Sequence, residues 1–303
     1  MAKFSFPALT AGPPSRRNWY QELLDDPKCA GNEIRVQEAY ETHREAYFAK
    51  QVQVFSNADC NPVTTDQALI KHLGRQKMEF QCAQNKDSFV EDDLDAQEVN
   101  CAVIWARPPA HVLSLVEKIQ KRLEALVGID LHSIPPEDIH LSVIELSHRH
   151  SVPELLTVVK AIGASRIQTI LNLASTLETK PGLIAPQLSF DRMGVALNFV
   201  PSGNTPYTYH HLRADMHALA LESGVSIDMC YTAPSAHCTL GRFVGNAFAE
   251  NEEARSKFVK AVVDINRVLE IESEVWTVGE DDPLELQLGY IKFGRARGEQ
   301  FKF

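Results

Sequence analysis

The sequence predicts an α+β protein in which two halves repeat one order of elements around a shared cleft. From about residue 98 the chain reads as strand, helix, histidine strand, helix and strands, and then as helix, histidine strand, helix and strands. The two histidine strands are Ile139–Val143 and Ala236–Leu240. A repeated order of elements is typical of internal duplication, and the mixture of strand and helix patterns indicates the α+β class.

The composition is that of an ordinary globular protein. At 303 residues, of which 44% are hydrophobic, the chain can bury a sizeable core. No apolar run approaches the roughly 18 residues that span a bilayer, and the first residues are too short an apolar stretch for a signal peptide. Six cysteines without a Cys-x-x-Cys pair suit reduced thiols. We therefore expect a cytoplasmic protein without a membrane segment.

The charge balance bears on the class of partner. The formal net charge of −10 argues against tight binding to long double-stranded nucleic acid, because neutralisation of phosphates drives that mode of binding. A small cyclic phosphate, a nucleotide or a short oligonucleotide needs only a local basic patch. These small phosphates remain the expected partners.

Residues 1–96 are predicted to be a helical N-terminal extension of a domain that covers 97–303. Trp19 and Leu23 form a short apolar stripe, and apolar and aromatic residues recur at helical spacing over 32–51. Another helix is expected after Asp66, and the acidic run 91–95 reads as a solvated linker. Each stripe is too small to form a core alone, so the helices should pack on the rest of the chain.

The first half of the predicted domain has clear boundaries. A strand over 100–106 stops at two prolines, and a helix with an apolar stripe over 112–126 is closed by Gly128. After the first histidine strand, Ser151 and Glu154 form a capping box for a helix, and 165–176 continue as a helix. Strands are expected over 187–190 and 195–200.

The second half repeats this order. A helix is expected from about 207 to 223, the second histidine strand follows, and a helix with an apolar stripe covers 251–270. Two last strands fit 274–278 and 284–293. The basic and aromatic residues over 290–303 resemble a nucleic-acid stacking surface, although an exposed strand with aromatic residues in the core is the favoured interpretation.

The histidine strands carry the candidate site. Because side chains of a strand alternate, His140 shares a face with Ser142, and His237 shares a face with Thr239, while the apolar neighbours face the core. A lone histidine in a strand is usually structural, but two equivalent strands favour function. Strict alternation places Arg242 on the opposite face from His237, so it reaches the site only through a bulge or its long side chain.

These motifs resemble the 2H phosphoesterase superfamily, the LigT-like group of cyclic phosphodiesterases and 2′-5′ RNA ligases. The resemblance covers about 200 residues and includes the strand ending at Pro108-Pro109, the Pro-Glu-Asp-Ile-His-Leu-Ser segment, and His-Cys-Thr-Leu-Gly-Arg. Two features differ, since Pro234 is set back from His237 and residues 1–96 have no counterpart in minimal members.

The resemblance implies a bilobal duplicated 2H fold with antiparallel sheets around a central cleft. It also implies catalytic roles for His140 and His237, and phosphate binding by Ser142, Thr239 and Arg242, without metal or cofactor.

Elementary chemistry supports the same roles. Opening a cyclic phosphodiester needs a base that takes a proton from water and an acid that protonates the departing ribose oxygen, and two imidazoles suit these tasks. Hydroxyl groups of Ser142 and Thr239 can donate to the non-bridging oxygens. The residues do not show which histidine is acid and which is base. The pH profile is expected to be bell-shaped, with both limbs near the usual histidine pKa of about 6.5 but displaced by the coupling of the pair and the charge of the substrate.

Other groups of residues in the sequence also resemble functional sites. His148 and His150, and the group His210, His211, Asp215 and His217, resemble metal ligands by residue type, but surface or capping roles are favoured. Glycines over 289–298 lack the spacing of a phosphate loop or a dinucleotide fold. The remaining alternatives are a non-catalytic nucleotide-binding or scaffold protein, and an RNA ligase that runs the reverse reaction.

Overall fold

The computed structural model describes most of the chain. The described residues are 3–7, 13–57, 61–74, 77, 100–228, 234–270 and 276–289. The predicted linker over 91–95 and the basic segment over 290–303 lie outside them. No helix within these ranges is both long and apolar enough to cross a membrane.

The strands form one antiparallel sheet in which some neighbouring strands are not consecutive in the chain. They are β1 (Asn100–Ala106), β2 (Leu131–Ser133), β3 (Leu141–His150), β4 (Gly182–Phe190), β5 (Gly194–Pro201), β6 (Ala236–Phe243), β7 (Trp276–Thr277) and β8 (Glu285–Gly289). Their order is β7-β4-β5-β6-β3-β1-β8, and β2 pairs with β6. The strands predicted for both halves therefore belong to a single sheet, which is joined where β3 meets β6.

Eight α-helices surround this sheet in the described ranges. They are α1 (Trp19–Leu24), α2 (Glu33–Ser56), α3 (described over 67–74), α4 (Ala110–Val127), α5 (Val152–Ile162), α6 (Ala164–Thr176), α7 (Tyr209–Leu221) and α8 (Glu252–Leu269). The mixture of helices and antiparallel strands is that of an α+β protein.

Local sequence signals explain several helix ends. The side chain of Ser151 caps α5 while Glu154 accepts from the Ser151 backbone, as the capping box predicts. Helix α4 ends at Gly128, whose φ of 65° lies in the left-handed region that glycine adopts without a steric penalty. Pro109 precedes α4 and stops β1, in agreement with the predicted boundary.

The N-terminal helices contribute to the same hydrophobic core as the sheet. Tyr20, Tyr40 and Phe55 are almost completely buried and belong to the large cluster that contains Leu141 and Cys238. Helix α1 contacts α7, and α2 contacts β5 and α8. The boundary predicted at residues 96 and 97 itself lies among residues that the structure does not describe.

The two faces of the sheet have different roles. On β1 the side chains of Ala102 and Ile104 point into the main core, while Val103 and Trp105 form a separate small cluster on the other face. Leu141 and Cys238 point toward the main core. The alternate residues of β3 and β6 therefore share the face of Trp105.

Candidate active site

The two histidine motifs meet at the junction of β3 and β6. Leu141 pairs with Cys238 in an antiparallel register. Continuing that register places the backbone of His140 beside that of Thr239, and Ser142 beside His237. His140 immediately precedes the first residue of β3 instead of lying within it. The structure therefore brings the four predicted motif residues to one face of the sheet.

His140 is held by a ring stack and a backbone hydrogen bond. Its imidazole lies parallel to the indole of Trp105, with 3.6 Å between ring centroids and 7° between planes. Its Nδ1 lies 2.7 Å from the carbonyl oxygen of Asp138. Because a carbonyl oxygen only accepts, Nδ1 carries a proton, and Nε2 of the neutral ring is the atom that can accept one.

An arginine fixes the segment that leads into His140. The Arg107 guanidinium donates to the carbonyl oxygen of Glu137 at 2.8 Å and to that of Ile139 at 3.3 Å. It also forms a salt bridge of 3.0 Å with Glu285 on β8. The backbone on the N-terminal side of the histidine is thus tied to the neighbouring strand, which limits movement of the ring.

His237 has a different hydrogen-bond partner. Its Nδ1 lies 2.9 Å from the hydroxyl oxygen of Ser235, which can either donate or accept. On β5, Asn198 pairs with His237. The proton on His237 is therefore not assigned to one nitrogen by this contact, in contrast to that on His140.

Both imidazoles have lowered basicity. Burial lowers the pKa of His140 to about 4, with further lowering by the charges of Arg107 and His237 and partial compensation by the Asp138 carbonyl. Burial also lowers the pKa of His237 to about 4, assisted by the charge of Arg242. The interaction between the two rings means that a proton on one disfavours a proton on the other. The sequence-based expectation of values near 6.5 did not include this burial.

The hydroxyl groups remain available for a ligand. Ser142 pairs with Trp105 on β1, and Thr239 pairs with Ala196 on β5. Among the described residues neither hydroxyl has a hydrogen-bond partner, and both side chains keep part of their surface exposed. They can therefore donate to an oxyanion without first breaking an internal bond.

A β-bulge in β6 brings Arg242 to the same face. On β5, Ala196 pairs with Thr239 and Val195 pairs with Gly241, so Leu240 is an extra residue on β6. Arg242 then pairs with Gly194, two residues from Ala196 along β5. Because alternate residues of β5 share a face, Arg242 shares the face of His237 and Thr239.

The bulge is supported from the other side of β6. The carbonyl oxygen of Leu240 accepts from the backbone nitrogen of Ile134 and from Nε2 of Gln120, both at 2.9 Å. Gln120 also donates to the carbonyl oxygen of Ile134 at 2.8 Å. The carbonyl group of the extra residue is thereby satisfied, as a buried backbone group requires.

Arg213 of α7 connects both histidine strands. It is 3% exposed, and it donates through Nε to the carbonyl oxygen of Val143 at 2.9 Å and through Nη1 to that of Ser235 at 3.4 Å. It also donates to the hydroxyl oxygens of Tyr20 and Tyr40 at 2.9 Å and 3.1 Å. A single buried cation thus links the two motifs to α1 and α2.

A cavity of about 260 Å³ lies beside the second motif. His237, Thr239 and Arg242 form one part of its wall, and α2 forms another part. Residues of β4 and β5, among them Ser189 and Asn198, and Asp191 between these strands also contribute. His140 and Ser142 are not among the residues that line it, so the cavity opens the second motif to a small molecule and places α2 next to that motif.

Three other histidines are engaged in packing. His210 is completely buried, with Nδ1 3.0 Å from the hydroxyl of Tyr40 and Nε2 3.0 Å from the carbonyl oxygen of Tyr20. His211 takes part in the N-terminal cap of α7, and His217 contacts Asn18. These side chains do not converge on a common point, so the metal interpretation of this group finds no support in their geometry.

Three side chains of the kinds that coordinate metal ions lie close together elsewhere on the sheet. Nδ1 of His148 lies 3.3 Å from Sγ of Cys101 and 3.5 Å from Oε1 of Glu145. In the described part of the chain these are the residues that could hold a metal ion together. Hydrogen bonds to Cys101 and then to Glu145 raise the pKa of His148 to about 10.

Sequence reasoning missed two residues that shape the site. Alternation places Trp105 on the face of β1 opposite to Ala102, but because the whole strand is apolar the sequence does not show which face is the main core. Arg213 gave no signal, because its partners lie 22 to 193 positions away in the chain.

Comparison with known proteins gives no further guide to the family. The sequence matches no protein-family model and no curated protein. The functional argument therefore rests on the residues of this chain.

Proposed function

We propose that the protein is a metal-independent phosphoesterase that cleaves a 2′,3′-cyclic phosphate or a related RNA-type phosphodiester. The proposal includes a duplicated 2H fold, with β3 and β6 as equivalent central strands. The observation that carries it is the antiparallel pairing of Leu141 with Cys238, which brings two His-x-Ser/Thr motifs to one face. A phosphate beside this junction would have an imidazole and a hydroxyl group from each motif.

The reaction follows from the chemistry of these groups. One imidazole accepts a proton from water, and the water oxygen attacks phosphorus. The bond between phosphorus and one ribose oxygen breaks, and that oxygen takes a proton from the other imidazole. Hydroxyl groups of Ser142 and Thr239, with Arg242, neutralise the negative charge on the non-bridging oxygens. With the hydroxyl group of a second RNA end in place of water as the nucleophile, the same two proton transfers would join two RNA ends.

The two histidines have different hydrogen-bond partners, and this difference indicates which one acts as the base and which one as the acid. Nδ1 of His140 donates to the Asp138 carbonyl, so its neutral ring presents Nε2 as a proton acceptor. We therefore assign the base to His140 and the acid to His237 in the direction of hydrolysis. A bound phosphate raises the pKa of a neighbouring imidazole, so the substrate itself helps to protonate the acid.

Turnover of a substrate panel tests the proposal. The panel contains the four nucleoside 2′,3′-cyclic phosphates and oligonucleotides that end in a cyclic phosphate, and phosphorus NMR distinguishes 2′ from 3′ products. We expect conversion of at least one member to a single monoester. Binding without conversion would favour the alternative, a non-catalytic nucleotide-binding protein, because all members offer the same reactive bond.

A further inference from the structure

Helix α2 forms one wall of the cavity beside the second motif. Tyr40, His43, Arg44 and Tyr47 line it, and these positions recur at helical spacing along one face of the helix. The opposite wall contains His237 and its neighbours on β6. A substrate that enters this cavity to reach His237 would therefore contact α2.

Arg44 is a cation in this wall without a carboxylate partner. Its Nη1 donates to the carbonyl oxygen of Ala185, and its Nε is buried with no hydrogen-bond partner. No ion pair joins it to an acidic residue among the described residues, and burial lowers its pKa. A guanidinium removed from water in this way is stabilised by an anion in the cavity.

The nearest carboxylates on α2 are already engaged. Glu41 and Glu45 raise the pKa of Arg44 by their charge, but each also forms a salt bridge with Lys3, at 3.2 Å and 2.8 Å. They share their charge with a second cation. Because Lys3 offsets part of the negative charge of these two carboxylates, the surroundings of Arg44 can still accommodate an added anion.

Asp191 lines the cavity, and its carboxylate accepts hydrogen bonds from the backbone of its own loop. Oδ1 of Asp191 accepts from the backbone nitrogens of Met193 and Gly194 at 2.7 Å and 3.0 Å. Its Oδ2 accepts from the hydroxyl of Tyr47 at 3.3 Å. Asp191 thus fixes the Tyr47 ring at the cavity wall.

A second arginine lines the same cavity. The Nε of Arg242 is buried and lacks a hydrogen-bond partner in the described ranges. Within those ranges it forms no ion pair with a carboxylate either. Two guanidinium groups with unused donors therefore line one space of about 260 Å³, which exceeds what a single phosphate beside His237 requires.

We propose that Arg44 forms a second anion subsite, which binds another phosphate group of the same substrate molecule. This inference rests on the proposed function, and it names the substrate class: a nucleoside 2′,3′-cyclic phosphate that also carries a 5′-phosphate. The reacting phosphate lies at the histidines with Arg242, and the 5′-phosphate reaches Arg44. Tyr47 offers an aromatic surface along the cavity. The small volume favours a mononucleotide over a long strand.

Paired substrates test the subsite. We compare kcat/KM for adenosine 2′,3′-cyclic phosphate with and without a 5′-phosphate, in the unmodified protein, in Arg44→Gln and in Lys50→Gln. Lys50 is an exposed cation of α2 that does not line the cavity. We expect the unmodified protein and Lys50→Gln to prefer the 5′-phosphorylated substrate by about 10-fold or more, as charge-assisted hydrogen bonds imply. Arg44→Gln should bring that ratio to within about 2-fold of one.

A binding measurement separates this inference from the proposed catalysis. Calorimetry compares adenosine 2′,5′-bisphosphate with adenosine 2′-monophosphate on the same proteins, with Arg44→Lys as a second variant that keeps the charge. A bisphosphate preference that depends on Arg44, without turnover, would support the subsite and refute the esterase. Turnover without any preference for the 5′-phosphate would overturn the subsite and leave the esterase standing. A preference equally strong in Arg44→Gln would also overturn it.

Discussion

Leu141 lies directly opposite Cys238, and this pair is the point at which the two histidine motifs join. Both side chains are buried, with exposed fractions of 1% and 0%. Because they fill the core side of the sheet, the residues on either side of them are turned to the other face. The core packing of two apolar residues therefore determines the position of the candidate catalytic groups.

The bulge at Leu240 predicts a role for Arg242 in binding the reacting phosphate. Arg242→Ala should lower kcat/KM by about 10- to 100-fold, because a hydrogen bond to a charged group contributes roughly 1.5–3 kcal/mol. Arg267→Ala, which removes an exposed arginine of α8, is the matched control and should have no effect. Steady-state kinetics on a cyclic nucleotide measure both, and equal activity of the two variants would exclude Arg242 from the site.

The close approach of β5 to the bulge gives a second test of the same geometry. A Cβ at Gly194 would clash with the Gly241 carbonyl oxygen and lie 3.3 Å from Cδ of Arg242. We expect Gly194→Ala to reduce activity and to lower the unfolding midpoint in urea. A variant with unchanged kinetics and stability would show that the bulge is less tightly packed than described.

The lowered histidine basicity predicts an acid-shifted pH profile. The active form needs one neutral and one protonated imidazole, and in the free protein the pKa values of both are about 4. The profile of kcat/KM, which reports the free enzyme, should therefore reach its maximum below pH 6.5. The falling limb of kcat should lie at higher pH, because a bound phosphate raises the imidazole pKa. A kcat/KM maximum at or above pH 7 would contradict the lowered values.

His210 predicts a loss of stability in acid. Burial lowers its pKa to about 3, so the folded state binds fewer protons than the unfolded state below the unfolded pKa of about 6.5. Its contribution is fully present above that value and is lost as the pH falls toward 3, on the order of 5 kcal/mol in all. Urea unfolding at pH 7 and pH 5 measures the loss, which should be smaller in His210→Gln. Equal losses in both proteins would mean that other groups control acid sensitivity.

Removal of metal is expected to leave the reaction unchanged. Dialysis against EDTA should not alter kcat/KM, since two imidazoles supply both proton transfers. Metal content is measured before and after dialysis. The same measurement on Cys101→Ser, which removes the thiol from the cluster at His148, serves as the comparison. Activity that EDTA abolishes and zinc restores would contradict the mechanism, and failure of Cys101→Ser to bind zinc would then locate the ion.

Local sequence signals predicted many elements because those elements depend on nearby residues. The strand over Asn100–Ala106 and the cap of α5 match the predicted positions, and the predicted helix over 251–270 is α8. The first histidine strand extends to His150, well beyond its predicted end. The three-residue strand Leu131–Ser133 was missed, since so short a segment has no detectable period.

Features that depend on distant residues could not be predicted from the sequence. The shared sheet requires β3 to pair with β6, and the bulge at Leu240 depends on Gln120, which is 120 positions away in the chain. Strict alternation in the sequence implies that Arg242 reaches the site only if β6 contains a bulge or if the long side chain bends round. The pairing of β6 with β5 shows that the bulge is present. The histidine pKa values likewise depend on packing that no local pattern encodes.

The measurement that tests the central claim most directly is the comparison of His140→Ala, His237→Ala and the double variant. Each single change should lower kcat/KM by about 10²–10⁴-fold, because each removes one proton transfer. The double variant should be little slower than the slower single variant, since the two groups act on one phosphate as a unit. His111→Ala, an exposed histidine of α4, is the control and should retain full activity. Losses that multiply in the double variant, or a single variant with full activity, would contradict a shared site.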